Sequence, residues 1–220
     1  MEKTCFKCNK QKNTILLIDC QSIKSYEILR FLHRLDIVPT HTHMAFYYSP
    51  FRKEYTPKQD AKICPFCDPR VLGEESVRDL AGKVIENDSY IWLVNFFPKF
   101  EGHTMIVPKR HILSLTEESE KEVVDRHQII NKAVETLRKA YPEGGVEIFL
   151  QFGDGSQSSV PHLHWHVVPA LPQDPLRSFE KLGQFHTPDE KGETVLRFPI
   201  EIQHVRGSLL DLLAKTLDSE

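Results

Sequence analysis

Three histidines stand at every second position in the stretch SSVPHLHWHVVP, residues 158–169: His162, His164 and His166. Side chains alternate along a strand, so this spacing puts three imidazoles on one face and Leu163, Trp165 and Val167 on the other. The rings then follow one another at roughly 6.5 to 7 Å, the rise of two strand residues. Imidazole, with an unperturbed pKa of about 6.5, is substantially neutral near pH 7 yet still basic and nucleophilic. The row follows a glycine and serine loop, FGDGSQSS (152–159), that offers backbone N–H groups. Such an arrangement suits phosphoryl chemistry: one ring attacks phosphorus while neighbouring donors hold the oxyanions and the leaving group.

The elements around this row follow from local pattern. YIWLVN (90–95) and HTMIVP (103–108) are β-branched and aromatic runs joined by FFPKFEG, whose Pro98 and Gly102 mark a connection, so they are predicted to pair antiparallel. TEESEKEVVDRHQIINKAVETLRKAY predicts a long helix over about 117–140. It opens on Thr116 and acidic residues, carries Val123, Ile130, Val134 and Leu137 on an apolar face, and is ended by PEGG. VEIFLQ (146–151) and HLHWHVV are further predicted strands. The tail adds a possible strand at RFPIEI and a short helix over about 208–217. The plan is α+β: an antiparallel sheet with one long helix packed on it, residues 61–172, between an N-terminal extension (1–60) and a C-terminal tail (173–220).

Composition narrows the partners. In 220 residues, 28 basic side chains stand against 31 acidic ones, a net charge of −3, which lacks the basic excess of a dedicated duplex-binding surface. There is no long apolar run and the N-terminus, MEKTCFKCNKQKN, is polar, so a cytoplasmic protein without a membrane anchor is expected. Four of the five cysteines fall in two CxxC pairs, Cys5/Cys8 and Cys64/Cys67, which reads as thiolate ligation rather than disulfides.

The motif HLHWHVV resembles the histidine triad signature, His-φ-His-φ-His-φ-φ, of nucleotide hydrolases and transferases that work through a nucleotidyl-histidine. NFFPKFEGHTMIVPKRH resembles that family's second signature, an Asn with Pro three residues on and Gly-His at seven and eight. The loop QFGDGSQSSV has the spacing of the dinucleoside polyphosphate hydrolases of the fragile-histidine-triad type. The resemblance runs from about Cys64 to Pro169. It implies His164 as nucleophile on the α-phosphate and His166 as donor to phosphate or leaving group. By the same resemblance Asn95 binds the ribose hydroxyls, Gln151 and Gln157 reach the phosphates or bridging oxygen, and His103 stands behind them. A homodimer, and a divalent cation accompanying the nucleotide, are implied in the same way.

His162 is left for another task. With Cys64, Cys67 and His111 it makes a two-thiolate, two-imidazole set that satisfies tetrahedral zinc, and the gaps of 44 and 51 residues require tertiary structure to assemble it. Triad-family members including the galactose-1-phosphate uridylyltransferases carry structural zinc at similar positions. A closed four-ligand site would fix the start of the histidine segment. The N-terminal pair Cys5/Cys8 suggests a zinc knuckle, which Cys20, His33, His41 or His43 could complete; no choice among them is compelled.

The leading expectation is a hydrolase that cleaves dinucleoside polyphosphates or related adenosine nucleotides at the α-phosphate. Phosphate in place of water would make the same site a phosphorylase. An adenosine phosphoramidase, an enzyme removing adenylate from nucleic-acid ends and a non-catalytic nucleotide sensor are the alternatives. The uridylyltransferase branch resembles His-Pro-His-Gln at the active strand, where this chain has Leu163 and His166.

Overall fold

The computed structural model describes residues 4–9, 14–19, 47–48, 64–68, 71, 82–156, 158–172, 174, 176, 180–181, 194–195 and 199–219. The chain forms two compact units, Met1–His41 and Thr42–Glu220. In the first, β1 (Thr4–Asn9) and β2 (Thr14–Asp19) make an antiparallel hairpin with Cys5 opposite Ile18 and Cys8 opposite Ile15. The candidate ligands Cys20, His33, His41 and His43 lie outside the described residues.

The second unit begins with the short strand β3 (Tyr47–Tyr48) and continues through β4 (Lys83–Glu86), β5 (Tyr90–Val94) and β6 (Thr104–Pro108). Helix α1 (Glu120–Ala140), β7 (Gly145–Leu150), β8 (Trp165–Ala170), β9 (Thr194–Val195) and α2 (Pro199–Asp218) complete it. Strands β4 to β8 form one sheet in the order β4-β5-β6-β8-β7, antiparallel at every pairing. The predicted β5–β6 pair is present, with Tyr90 opposite Pro108 and Val94 opposite Thr104. Its connection lies close against β8 because Gly102 adopts φ +71; a Cβ there would stand 2.4 Å from Pro169 Cγ.

The two sheet faces have separate fates. Tyr90, Trp92, Val94, Ile106, Trp165 and Val167 pack into one core with Ile129, Ala133 and Leu137 of α1 and Leu209, Leu210 and Leu213 of α2. Ile91, Leu93, Met105 and Val107 face the other way, under Phe66 and Val71. His166 pairs with Met105 on β6 and Phe149 on β7, so it belongs to this second face.

Helix α1 starts later and turns differently from the sequence expectation. Its N-cap is Ser119, in a capping box with Glu122, and a separate 3-10 turn covers Leu115–Glu117. The buried stripe runs through Glu122, Asp125, Ile129, Ala133, Thr136 and Leu137, while Val123 is exposed. Two acids occupy that stripe because distant segments pair with them: Arg110 holds Glu122 through Nε (2.9 Å) and Nη2 (2.8 Å), and the Ser89 hydroxyl donates to Asp125. The tail is a second correction. Pro199 to Ile202 of RFPIEI are helical rather than extended, since Pro199 opens α2, which runs well beyond the expected short helix; Arg197 and Phe198 lie outside the described residues.

A third correction concerns the histidines. Ladder pairing begins at Trp165, so His162 and His164 lead into β8 rather than lying on it. Leu163 N–H instead donates to Ile112 O (2.7 Å), tying this lead-in to the loop after β6, and His162 N–H donates back to Val160 O (2.9 Å). The row is therefore divided: His162 meets His111 edge-on at 4.8 Å, whereas His164 and His166 stand 5.0 Å apart, closer than strand rise alone would set them.

Candidate active site and metal cluster

His164 is 4% exposed, and its Nδ1–H donates to the main-chain carbonyl of His162 at 2.7 Å. A carbonyl only accepts, so the proton of the neutral ring is on Nδ1 and Nε2 keeps its lone pair. Burial lowers the pKa of His164, partly offset by that hydrogen bond, which favours the neutral nucleophilic form.

His166 is held the other way round. Lys99 N–H donates to His103 Nδ1 (3.1 Å), so neutral His103 carries its proton on Nε2, 2.9 Å from His166 Nδ1. His166 Nδ1 is then the acceptor, and its own proton sits on Nε2. Two imidazoles 5.0 Å apart are thus fixed in opposite tautomers, one presenting a lone pair and the other an N–H. Trp165 between them is clamped from behind by Tyr90 at 5.9 Å and by the Arg126 guanidinium at 5.3 Å. Glu118 accepts from both Arg126 Nε (2.8 Å) and the Tyr90 hydroxyl.

The other expected residues fall as follows. Asn95 Oδ1 accepts from Phe97 N–H at 2.8 Å, and its Nδ2 lies 3.1 Å from His103 Nε2, beside the histidine pair. Gln151 Nε2–H donates to Ser156 O (2.9 Å), closing the loop in which Gly153 and Gly155 both take φ +79. Gln157 lies outside the described residues, and for Cys5 and Cys8 only their place on β1 is described. The Lys99 amide and the Arg126 and Glu118 supports were not anticipated. Lys99 lies within the second signature but acts through its main-chain amide, which residue type does not reveal, and Arg126 and Glu118 are remote in sequence from the triad and carry no motif.

Cys64, Cys67, His111 and His162 do come together: one ligand atom from each lies within 4.8 Å of all the others. His162 Nδ1 is 3.4 Å from Cys64 Sγ and 3.5 Å from Cys67 Sγ, and His111 Nδ1 is 3.2 Å from Cys67 Sγ. His162 Nε2–H donates to Pro108 O (2.9 Å), which leaves the Nδ1 lone pair directed at the sulfurs. Its pKa is lowered to about 4, chiefly by burial, so the ring is neutral and able to ligate. Burial, and then the neighbouring Cys64, pushes the Cys67 thiol up to about 11, the response of two sulfurs whose charges need a cation between them.

A five-stranded antiparallel sheet backed by a long helix, with a buried pair of histidines, defines the class of α+β protein. Residues 80–173 match the HIT domain family. The chain is 32% identical over 113 residues to an uncharacterised HIT-like protein of Saccharolobus solfataricus, covering 51% of this chain and 78% of that one. It therefore belongs to the HIT family. It is also 27% identical over 81 residues to an asymmetrical bis(5'-nucleosyl)-tetraphosphatase of Schizosaccharomyces pombe, covering 37% of this chain and 44% of that enzyme. Among solved structures, a zinc-bound histidine triad protein from Mycobacterium smegmatis superposes with a TM-score of 0.42 at 23% identity, covering 63% of this chain and 87% of that one.

Proposed function

We propose that the protein is a nucleotide hydrolase that cleaves dinucleoside polyphosphates, or related adenosine nucleotides, at the α-phosphate. The observation that carries this reading is the pair of opposite tautomers. His164 Nε2 has the lone pair needed to attack phosphorus, and His166 Nε2 has the proton needed by the departing oxygen. In the first step the His164 N–P bond forms and the bond from α-phosphorus to the bridging oxygen breaks, that oxygen departing as an anion on the hydrogen bond from His166 Nε2–H. Water then attacks the same phosphorus, the N–P bond breaks with its electron pair returning to His164, and the water's proton is released to solvent. Asn95 would meet the ribose, and Gln151 and Gln157 would reach the phosphates or the bridging oxygen. The likeness to the yeast tetraphosphatase supports the substrate class. A homodimer, a divalent cation carried in with the nucleotide and a cytoplasmic location belong to the same proposal. No helix among the described residues is long and apolar enough to cross a membrane.

The metal in this reading is zinc. A regular tetrahedron has edges about 1.63 times its bond length, so bonds of about 2.0 to 2.3 Å require ligand separations of about 3.3 to 3.8 Å. Two of the three separations, 3.4 and 3.5 Å, fall in that range, and the third, 3.2 Å, lies just below it. Zinc bound by two thiolates and two imidazoles has no open position and would supply architecture rather than Lewis acidity. What the chain's own residues gain is a fixed His162, whose carbonyl aims His164.

Incubation with diadenosine tetraphosphate, with and without inorganic phosphate and beside a His164→Ala control, tests the activity. AMP and ATP in both buffers, absent from the control, are expected. ADP formed only with phosphate would replace the hydrolase by a phosphorylase, and no turnover in either buffer would overturn the reading.

A further inference from the structure

Cys64 and Cys67 bracket a single 3-10 turn closed by Cys67 N–H donating to Cys64 O at 3.0 Å. Both are partly exposed, their sulfurs are within 4.8 Å of each other, and His111 beside them is exposed. A disulfide needs a sulfur separation of about 2.0 Å, so rotation of two side chains within one turn is enough to form it. The same sulfurs sit 3.4 and 3.5 Å from His162 Nδ1, while the His162 carbonyl receives the His164 proton. One residue is thus shared between the thiol pair and the nucleophile.

We propose that Cys64 and Cys67 are a reversible oxidation site through which a peroxide silences the histidine pair. The inference rests on the zinc reading of the cluster. One thiolate attacks the peroxide O–O bond, giving a sulfenic acid and releasing water or an alcohol after protonation. The second thiolate attacks that sulfur, the S–O bond breaks with loss of a further water, and a disulfide remains: two thiolates, two protons and one hydrogen peroxide become one disulfide and two waters. A disulfide supplies no thiolate ligands, so the metal departs. His162 then keeps its bond to Pro108 O but loses its anchor at Nδ1, and the carbonyl that fixes His164 is held by the main-chain bonds of the lead-in alone. A small dithiol reverses the step, taking up the disulfide as its own oxidised form and returning two thiols ready for metal.

The experiment uses the full chain. Metal analysis of the purified protein comes first, and lack of zinc would overturn the cluster reading together with this inference. With zinc present, hydrogen peroxide should release it to a chromogenic chelator and leave the tryptic peptide Ile63–Arg70, which contains both cysteines, lighter by two hydrogens. Turnover of diadenosine tetraphosphate should fall about tenfold or more, the scale on which groups behind a ligand act, and return with dithiothreitol plus zinc. A Cys5→Ser/Cys8→Ser chain, in which Cys64/Cys67 is the remaining CxxC, should respond identically. Zinc retained beside an unmodified peptide would overturn the oxidation site while leaving the zinc reading intact. Disulfide and metal release with unchanged turnover would overturn the link to His164.

Discussion

Replacing His103 isolates the tautomer argument from the rest of the site. His103 is 1% exposed, and its ring joins the Lys99 amide to His166 Nδ1 through contacts of 3.1 and 2.9 Å. His103→Ala removes both partners and opens a cavity, so stability should fall by about 2 to 4 kcal/mol, from lost buried hydrogen bonds at about 1 to 3 kcal/mol together with lost packing. Without the His103 proton, His166 is free to carry its own proton on Nδ1, which takes the hydrogen-bond donor away from the leaving oxygen. Losing one positioned donor to a charged oxygen corresponds to a fall of roughly 100-fold or more in kcat. His103→Gln offers an amide N–H near the Nε2 position, and should recover a substantial part of that loss. The assay is steady-state release of AMP and ATP from diadenosine tetraphosphate, with urea unfolding of each variant to separate folding from chemistry. If His103→Ala were destabilised but retained the parent kcat, or if His103→Gln were no faster than His103→Ala, the tautomer reasoning would fail.

Four further outcomes are expected. His164→Ala should lose about 2 to 4 kcal/mol of stability, as at His103, yet lose turnover by about 10⁴-fold or more, since it deletes the attacking atom; urea unfolding beside long-incubation product analysis separates the two effects. Adding a strong chelator should lower the thermal midpoint, because a metal that binds only the folded state at about 1,000 times its Kd contributes about 4 kcal/mol, measurable by calorimetry with and without added zinc. Ser119→Ala removes the hydroxyl that accepts from Glu122 N–H at the start of α1 and should cost about 1 kcal/mol in urea unfolding. For pH, His162 sits at about 4 in the fold against about 6.5 in the unfolded chain, so below pH 6.5 the unfolded chain binds more protons. Its contribution is fully present above pH 6.5 and is lost as pH falls toward 4, with the lowered pKa of His164 acting in the same sense; a pH series of urea midpoints should decline across that window.

The alternation of HLHWHVV already separates the core-facing Leu163, Trp165 and Val167 from the histidines, and the structure keeps that division. Alternation could not show where the ladder stops: the Leu163 N–H that leaves it pairs with Ile112, a partner some fifty positions away. Part of the buried stripe of α1 escaped the sequence reading for a related reason, although Leu137 was foreseen and lies in the core. Glu122 and Asp125 look like solvent-facing residues until Arg110 and Ser89 are brought to them by the sheet. Residue type alone suggested the four metal-cluster members, since thiolates and imidazoles are uncommon company without a cation. The proton positions were invisible, because they depend on which carbonyl or amide each ring nitrogen meets.

Strands β6 and β8 are spatial neighbours although a helix and another strand separate them along the chain. The metal cluster spans the same gap, since it joins Cys64 to His162. Closing so long a loop is slow relative to local helix or hairpin formation. During synthesis the two sulfurs therefore emerge well before the imidazole that completes their set, and a chain arrested before His162 can neither close the cluster nor aim a nucleophile. The placing of His164 is in this way contingent on the β6–β8 pairing, and chains that end before it carry the thiols without the imidazoles of His162 and His164.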